Sequence, residues 1–364
     1  MRATTYFPAV DALRGFAALS VVAYHLVALA ALPIPTWYPL AWFRVGSFGV
    51  DLFFGISGAV ILMSLQTLAG RDGKSWRLDF ALRRVARIMP LYLLTGAVFI
   101  LLLKPEMPTQ SDWWMQVFTH LLFIHNFWPD THGSIDGVNW TLAVEIQFYA
   151  TALLLGVFLL RCSTWRIALI ALALGSLWRV GCWFFLVYPH PSRPELMFHA
   201  TTQLPGLAEE FAAGMIAARW RMAVADEGRQ PSVCTVVLLG VGALAGWIAA
   251  LWWTSEMGAA FWTGPLALLS IRPLIALAVG LTVAWALAVP KRRFEGVIVK
   301  GLGDWSYGIY LWHLIALLAL QRWTDLGSPW VFAVLVLGLT LSLSWLGFKL
   351  LERPIMRWAR RRMA

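Results

Sequence analysis

Residues 330–351 read WVFAVLVLGLTLSLSWLGFKLL, an unbroken apolar run whose one charge is Lys349. As a helix this stretch rises about 33 Å, enough to cross the roughly 30 Å hydrocarbon core of a bilayer. A helix on the surface of a soluble domain would show an apolar stripe at a period near 3.6, not apolar residues all round. Working back from it, the same reading applies to residues 305–323, 264–289, 233–253, 206–220, 167–187, 140–160, 88–103, 46–69 and 12–32. Of the 364 residues 60% are hydrophobic and 13% charged, and the mean hydropathy is +0.69. An ordinary soluble domain carries about 25% charged residues. A soluble globular protein, a disordered chain and a fibrous chain are excluded. The expected fold is all-α, a polytopic transmembrane helix bundle of about ten spans. It forms one domain over residues 1–364, with a core at 8–355 and a basic tail at 352–364. Two segments strain this reading. Residues 206–220 are short and contain Glu209 and Glu210, yet count as a span. Residues 113–128 are apolar but broken by His120, His125 and Asn126, and read as an interfacial or re-entrant piece.

The formal charge of +10 would suit nucleic acid if it were spread over one soluble face. It is not. With the N-terminus in the cytoplasm, the inner loops collect most of the 29 Lys and Arg residues, including Arg83, Arg84 and Arg87, Lys291 to Arg293, and Arg360 to Arg362. Arg71, Lys74 and Arg2 fall on the same side, while the outer loops hold Arg44, Lys104, Arg193 and Arg322. Dropping 206–220, or adding 113–128, would move every basic loop downstream to the other side. The positive-inside rule therefore favours ten spans with both termini in the cytoplasm. The charge sets topology and meets anionic lipid; no nucleic acid is required. Ala28-Leu29-Ala30 resembles a signal-peptidase site, but Arg14 and His25 interrupt the segment before it, so an uncleaved first span is expected. Cys162, Cys182 and Cys234 are too few for a disulfide framework and have no metal spacing.

Ionisable groups inside spans are costly and mark function more often than not. In the first span Arg14 and His25 are eleven residues apart, about 16 Å along a helix and within ~20° of one face. Asp11 shares that face. Taken alone, Arg14 reads rather as a snorkelling cation and His25 as a buried hydrogen bonder; the shared stripe favours function. In the second span, GSFGVDLFFGISG, Asp51 falls in the outer half among small residues suited to close helix packing. In the fourth, Glu145 and Tyr149 are one turn apart, with Asn139, Trp140 and Thr141 at its mouth. Topology alone puts His25, Asp51 and Glu145 at one depth. In the ninth, Ser306, Tyr310 and His313 share a face that begins at the inner end, either a polar seam between helices or the wall of a cavity open to the cytoplasm. Arg84 and Arg87 lie three apart at the inner mouth of the third span, suited to clamping phosphates. No zinc spacing, serine elbow or Walker loop occurs, so no metal cofactor is expected. A phosphate-attracting inner mouth, a polar seam and an imidazole with carboxylates in the outer half would fit acyl-CoA: an anionic head, a long neutral arm and a reactive carbonyl.

The chain closely resembles the acyltransferase-3 family of bacterial integral-membrane O-acyltransferases. The resemblance rests on FPAVDALRGFAALSVVAYH (7–25), with Arg and His eleven positions apart, and on FGVDLFFGISG (48–58), RRVARIMPLY (83–92), NWTLAVEIQFY (139–149), SYGIYLWH (306–313) and LERP (351–354), in the family's order. Gly55 stands where many members have Val, a change expected to be minor. The resemblance implies transfer of an acyl group, most simply acetyl, from cytoplasmic acyl-CoA to a hydroxyl of a glycan or glycoside, in the bacterial cytoplasmic (inner) membrane. It implies membrane lipids as surroundings, and glycan-assembly machinery or a second copy of the chain as partners. Some members carry an esterase-like domain after the membrane part. None lies within these residues, so a hand-over to such a domain is expected to be absent.

On this reading His25 is the general base toward the acceptor hydroxyl, and Glu145 or Asp51 holds its ring. Arg14, Arg84 and Arg87 bind the phosphates of the donor, while Ser306, Tyr310 and His313 line its channel. Tyr149, Asn139 and Trp140 face the acceptor, and the outer loop 104–139 selects it. The alternative is a transporter or flippase for a lipid-linked glycan or small molecule, where intramembrane charge is equally at home. Acceptor-dependent release of free CoA thiol separates the two.

Overall fold

The computed structural model describes residues 6–35, 40–69, 76–187 and 194–362. Arg2, Arg71, Lys74 and Arg193, used in the charge argument, lie outside them. The described residues form helices joined by turns, with no strand. The α-helices are α1 (Pro8–Ala30), α2 (Phe48–Ala69), α3 (Trp76–Leu103), α4 (Trp113–Leu121), α5 (Pro129–His132), α6 (Trp140–Arg161), α7 (Thr164–Cys182), α8 (Pro194–Thr201), α9 (Ala208–Asp226), α10 (Val233–Met257), α11 (Pro265–Ala288), α12 (Val297–Trp323), α13 (Pro329–Gly347) and α14 (Arg353–Arg362). Among the described residues, eight helices are long and apolar enough to cross a membrane, by length and composition. The other two segments read as spans fall on α9 and α12, helices of 19 and 27 residues. α9 misses that standard because Glu209, Glu210, Arg219 and Arg221 enter it, and α12 because Asp304, Ser306, Tyr307, Tyr310 and His313 dilute its apolar run.

Helix ends depart from the apolar runs where polar residues continue a helix. α3 begins at Trp76, well before the run starting at residue 88, because RLDFALRRVARI is itself a good helix former. Pro90 lies within α3 and the helix continues through it. The run at 330–351 ends in a wider π turn, Phe348–Glu352, that leads into α14. Pro354, the second residue of α14, follows two positions after that turn, and a proline has no N–H to continue the α ladder.

The chain divides into two compact units. The first comprises Met1–Val10, Asp51–Asp72 and Val144–Glu295. In it α10 packs along α11, α11 along α9, and α9 against α7. The contact of α2 with α9 is as close as backbones allow: a methyl built on Gly214 would run into the carbonyl of Gly55, and one on Gly58 into that of Phe211. Small residues at such a crossing gain the packing that drives helix association in lipid. A side chain at Gly55 would meet the buried Val279, so glycine here goes with that neighbour.

The second unit comprises Asp11–Val50, Gly73–Ala143 and Gly296–Ala364. α12 packs along α13 and α3, and α14 along α3. Gly303 of α12 abuts Asp11, and a methyl on Gly15 would lie 2.8 Å from Leu302 Cβ. α12 and α1 therefore touch near their first turns.

Candidate active site

Two helices of the second unit build the arrangement with most chemistry. From the Gly15–Leu302 contact, ten further residues of α1 lead to His25 and eleven of α12 lead to His313. Both steps span about 15–16 Å, so the helices run side by side in one direction. At the far end the rings meet, with centroids 5.0 Å apart and His313 Nε2 3.1 Å from His25 Nδ1.

The surrounding acceptors fix the protons. His313 Nδ1 faces the carbonyls of Tyr310 at 2.6 Å and Ile309 at 3.2 Å. Two carbonyls require a donor, so Nδ1 carries the hydrogen and Nε2 of the neutral ring is an acceptor. His25 Nδ1 lies between that acceptor and the Val21 carbonyl, 3.0 Å away. It must donate too, which leaves the lone pair of His25 on Nε2. His313 is fully buried while His25 is half-buried. The inner ring is a fixed acceptor and the outer ring presents a bare nitrogen.

The rest of the α12 face supports this pair. Ser306 is buried and its hydroxyl donates to the Gly303 carbonyl at 2.8 Å. The Tyr310 hydroxyl donates to the Val138 carbonyl at 3.1 Å and lies 2.9 Å from Thr141 Oγ1. That ties the His313 turn to the entry of α6, where Asn139 donates to the Ile135 carbonyl and Trp140 stacks on His132. Toward the start of α1, Arg14 lies 3.5 Å from Asp11 with a quarter of its side chain exposed. Arg14 and Arg87 both act electrostatically on Asp304 of α12, as does Lys300. Arg84 lies over the Phe80 ring, and Arg87 donates to Met356 Sδ at 3.9 Å. The structure thus gathers His25, His313, Tyr310 and Asn139 at one end of the α1–α12 pair, and Arg14 and Arg87 near the other.

The two carboxylates named with His25 have other partners, within the first unit. Asp51 Oδ1 accepts from Arg272 at 2.6 Å, and the same guanidinium reaches Glu210 Oε1 at 3.3 Å. Glu145 accepts from the hydroxyls of Ser57 and Tyr149. Arg179 makes a two-pronged pair with Glu209 at 2.7 and 2.8 Å. Equal depth did not imply these partners, since depth fixes a level along the membrane normal and not a direction around each helix. Arg272, Arg179, Glu209 and Glu210 were visible as charges inside spans; their excess was the one available signal that they pair. Nothing in sequence pointed to Ser57 as the Glu145 donor, or to His313 as the His25 partner.

The connection from α3 to α6 forms a second polar region. His120 and His125 stack with centroids 4.1 Å apart. His120 Nδ1 donates to the Gln116 carbonyl at 2.8 Å, and both rings are buried. Burial holds His120 down to about 4. Burial and then the neighbouring His120 hold His125 down to about 3. Asp136 is fully buried, and among the described residues neither carboxyl oxygen has a hydrogen-bond partner. Desolvation raises it well above the ordinary carboxylate value.

Among known proteins, the acyltransferase domain family model matches residues 7–349. A putative peptidoglycan O-acetyltransferase, YrhL, of Bacillus subtilis is 26% identical over 96% of this chain and 55% of its own length. The peptidoglycan O-acetyltransferase OatA of Listeria monocytogenes is 24% identical over 96% of this chain and 56% of its own. The O-acetyltransferase OatA of Staphylococcus aureus is 24% identical over 98% and 58%. The chain thus spans a little over half the length of these relatives. No solved structure matches it.

Proposed function

The chain belongs to the acyltransferase domain family, and on that premise we propose that it is a multi-pass membrane O-acyltransferase. It moves an acyl group, most simply acetyl, from acyl-CoA to a hydroxyl of a glycan. The observation that carries the reading is the bare Nε2 of His25, left as the only basic lone pair of the His25–His313 pair. An imidazole has its ordinary pKa near working pH and suits proton transfer. In the step itself the acceptor hydroxyl attacks the thioester carbonyl and its proton passes to His25 Nε2. The C–S bond then breaks, and CoA leaves as the thiol on taking up the proton. His313 Nε2 accepts the hydrogen bond from His25 Nδ1 throughout, which orients the ring and steadies the imidazolium. Arg14, Arg84 and Arg87 bind the donor phosphates, and Ser306 and Tyr310 line the path between them and His25. Asn139 and Trp140 stand on the acceptor side. Asp51 and Glu145 hold the first unit together through Arg272, Ser57 and Tyr149. The names of the relatives support a glycan acceptor, and the loop charges support the cytoplasmic membrane.

The test is acceptor-dependent release of CoA thiol by the purified chain in lipid nanodiscs. His25→Ala lowers turnover by about 10²–10⁴-fold, the usual worth of a general base, while the protein still inserts. Unchanged turnover overturns the role of His25. Transport of a glycan without thiol release overturns acyl transfer altogether.

A further inference from the structure

The segment between α3 and α6 holds an open cavity of about 460 Å³, within the ~300–1,000 Å³ range of small-molecule sites. Its lining includes Lys104, Glu106, Asp112, Gln116, Asp130 and Ser134. Part of this wall is already fixed by internal bonds. Lys104 Nζ donates to the Ser134 carbonyl at 2.8 Å. The buried Gln116 donates to Asp112 Oδ2 at 2.8 Å and accepts from the Ser134 hydroxyl at 2.5 Å. Among the described residues, neither Glu106 nor Asp130 commits its carboxylate to an ion pair. The cavity therefore offers preset acceptors and an excess of negative charge. Acceptor-rich walls bind hydroxyl groups, and three carboxylates against one ammonium repel an anion.

The helix beneath the cavity fixes where it sits. α4 turns Gln116, Thr119 and His120 inward, and exposes Trp114, Phe118, Leu121 and Leu122. Those exposed positions recur at i, i+4, i+7 and i+8, one helical face. Polar inside and apolar outside is the pattern of a helix lying against lipid. The cavity is thus held at the membrane surface, on the side that the loop charges assign to the exterior.

We propose that this cavity binds a neutral sugar unit of the acceptor glycan and excludes uronate or phosphorylated sugars. This rests on the acyl-transfer reading and names the acceptor chemistry for it. Chitotetraose, a neutral N-acetylhexosamine oligomer, and tetragalacturonate, an anionic one, serve as probes. Their binding to the full chain in nanodiscs is followed by calorimetry. The wild type binds chitotetraose and not tetragalacturonate. Glu106→Gln with Asp130→Asn keeps the shape and weakens chitotetraose binding about tenfold or more, as expected for lost charge-assisted hydrogen bonds. The double variant also raises the acceptor KM without changing kcat.

Equal binding by variant and wild type, tighter binding of tetragalacturonate, or no sugar binding by the wild type overturns the assignment. Calcium binding that needs no sugar and is lost in the variant makes the cavity a cation site, and overturns it too. Sugar binding as described, with no thiol release under any condition, sinks the acyl-transfer reading and leaves the cavity assignment standing.

Discussion

Asp51 and Arg272 stand 221 positions apart in sequence and form a buried ion pair 2.6 Å long. Glu210 shares the guanidinium at 3.3 Å, so one cation serves two buried carboxylates. Removing the cation strands two negative charges, whereas neutralising Asp51 leaves one pair intact. Breaking a buried pair by deleting one partner costs about 3–5 kcal/mol. Arg272→Met is therefore expected to unfold the chain or keep it out of the membrane fraction. Asp51→Asn should accumulate normally, melt within a few degrees of wild type in detergent, and keep most of its turnover. A stable Arg272→Met variant would remove the structural role assigned to the triad.

The crossing of α2 and α9 makes a steric prediction. Gly214→Ala drives a methyl into the Gly55 carbonyl, while the space beside Gly338 is open. Overpacking a close helix contact costs roughly 1–3 kcal/mol. Thermal unfolding in detergent should show a clear drop for Gly214→Ala and little change for Gly338→Ala. Equal effects would mean that the backbone separates freely at that crossing.

These two cases show what sequence could and could not convey. Spans such as α10, α11 and α13 were legible because a bilayer demands about 20 apolar residues in a row. The segment 206–220, on α9, reads as a span only with the alternation of basic loops, since Glu209 and Glu210 interrupt it, whereas 305–323, on α12, reads as apolar by itself. Arg14 and His25 were legible as a stripe because both lie on one helix, where the 3.6 period applies. The partner of Arg14, Asp11, lies on the same face, but that of His25 was not legible: His313 is 288 positions away, and pairing across helices depends on crossing geometry that composition does not encode. Asp51 and Glu145 drew attention as costly buried charge; Arg272, Ser57 and Tyr149 account for that burial.

The His25–His313 bond makes a kinetic prediction. Without the Nε2 acceptor, His25 Nδ1 keeps only the Val21 carbonyl, so the ring is held less firmly and its imidazolium is less stabilised, while donor binding at the arginines is untouched. His313→Ala should lower kcat by roughly ten- to hundredfold, the worth of a hydrogen bond of about 1.5–3 kcal/mol. The KM for acetyl-CoA should stay within about twofold, because phosphate contacts set donor binding. His313→Gln, whose amide oxygen can accept the same hydrogen bond, should recover part of the loss. A matching rise in KM, or no recovery with Gln, would mark His313 as packing alone.

The α3–α6 connection makes opposing pH predictions that one substitution can separate. His120 and His125 are held down to about 4 and about 3 by burial, against an ordinary value near 6.5. Between those limits the unfolded chain binds the extra protons. Their contribution is present above about pH 6.5 and is lost as pH falls, by up to about 1.4 kcal/mol per pH unit for each ring. Asp136 is raised by desolvation, so its contribution has the other sign: complete below the ordinary carboxylate value, and lost as pH rises through the folded one. Asp136→Asn keeps the shape and tolerates the backbone φ of 49° found there. It should raise the melting temperature at pH 7.5 and raise it less at pH 4.5, while the acid-side loss from the histidines persists. An equal gain at both pH values would show that the effect is steric and that the carboxyl of Asp136 is not carrying the pH dependence.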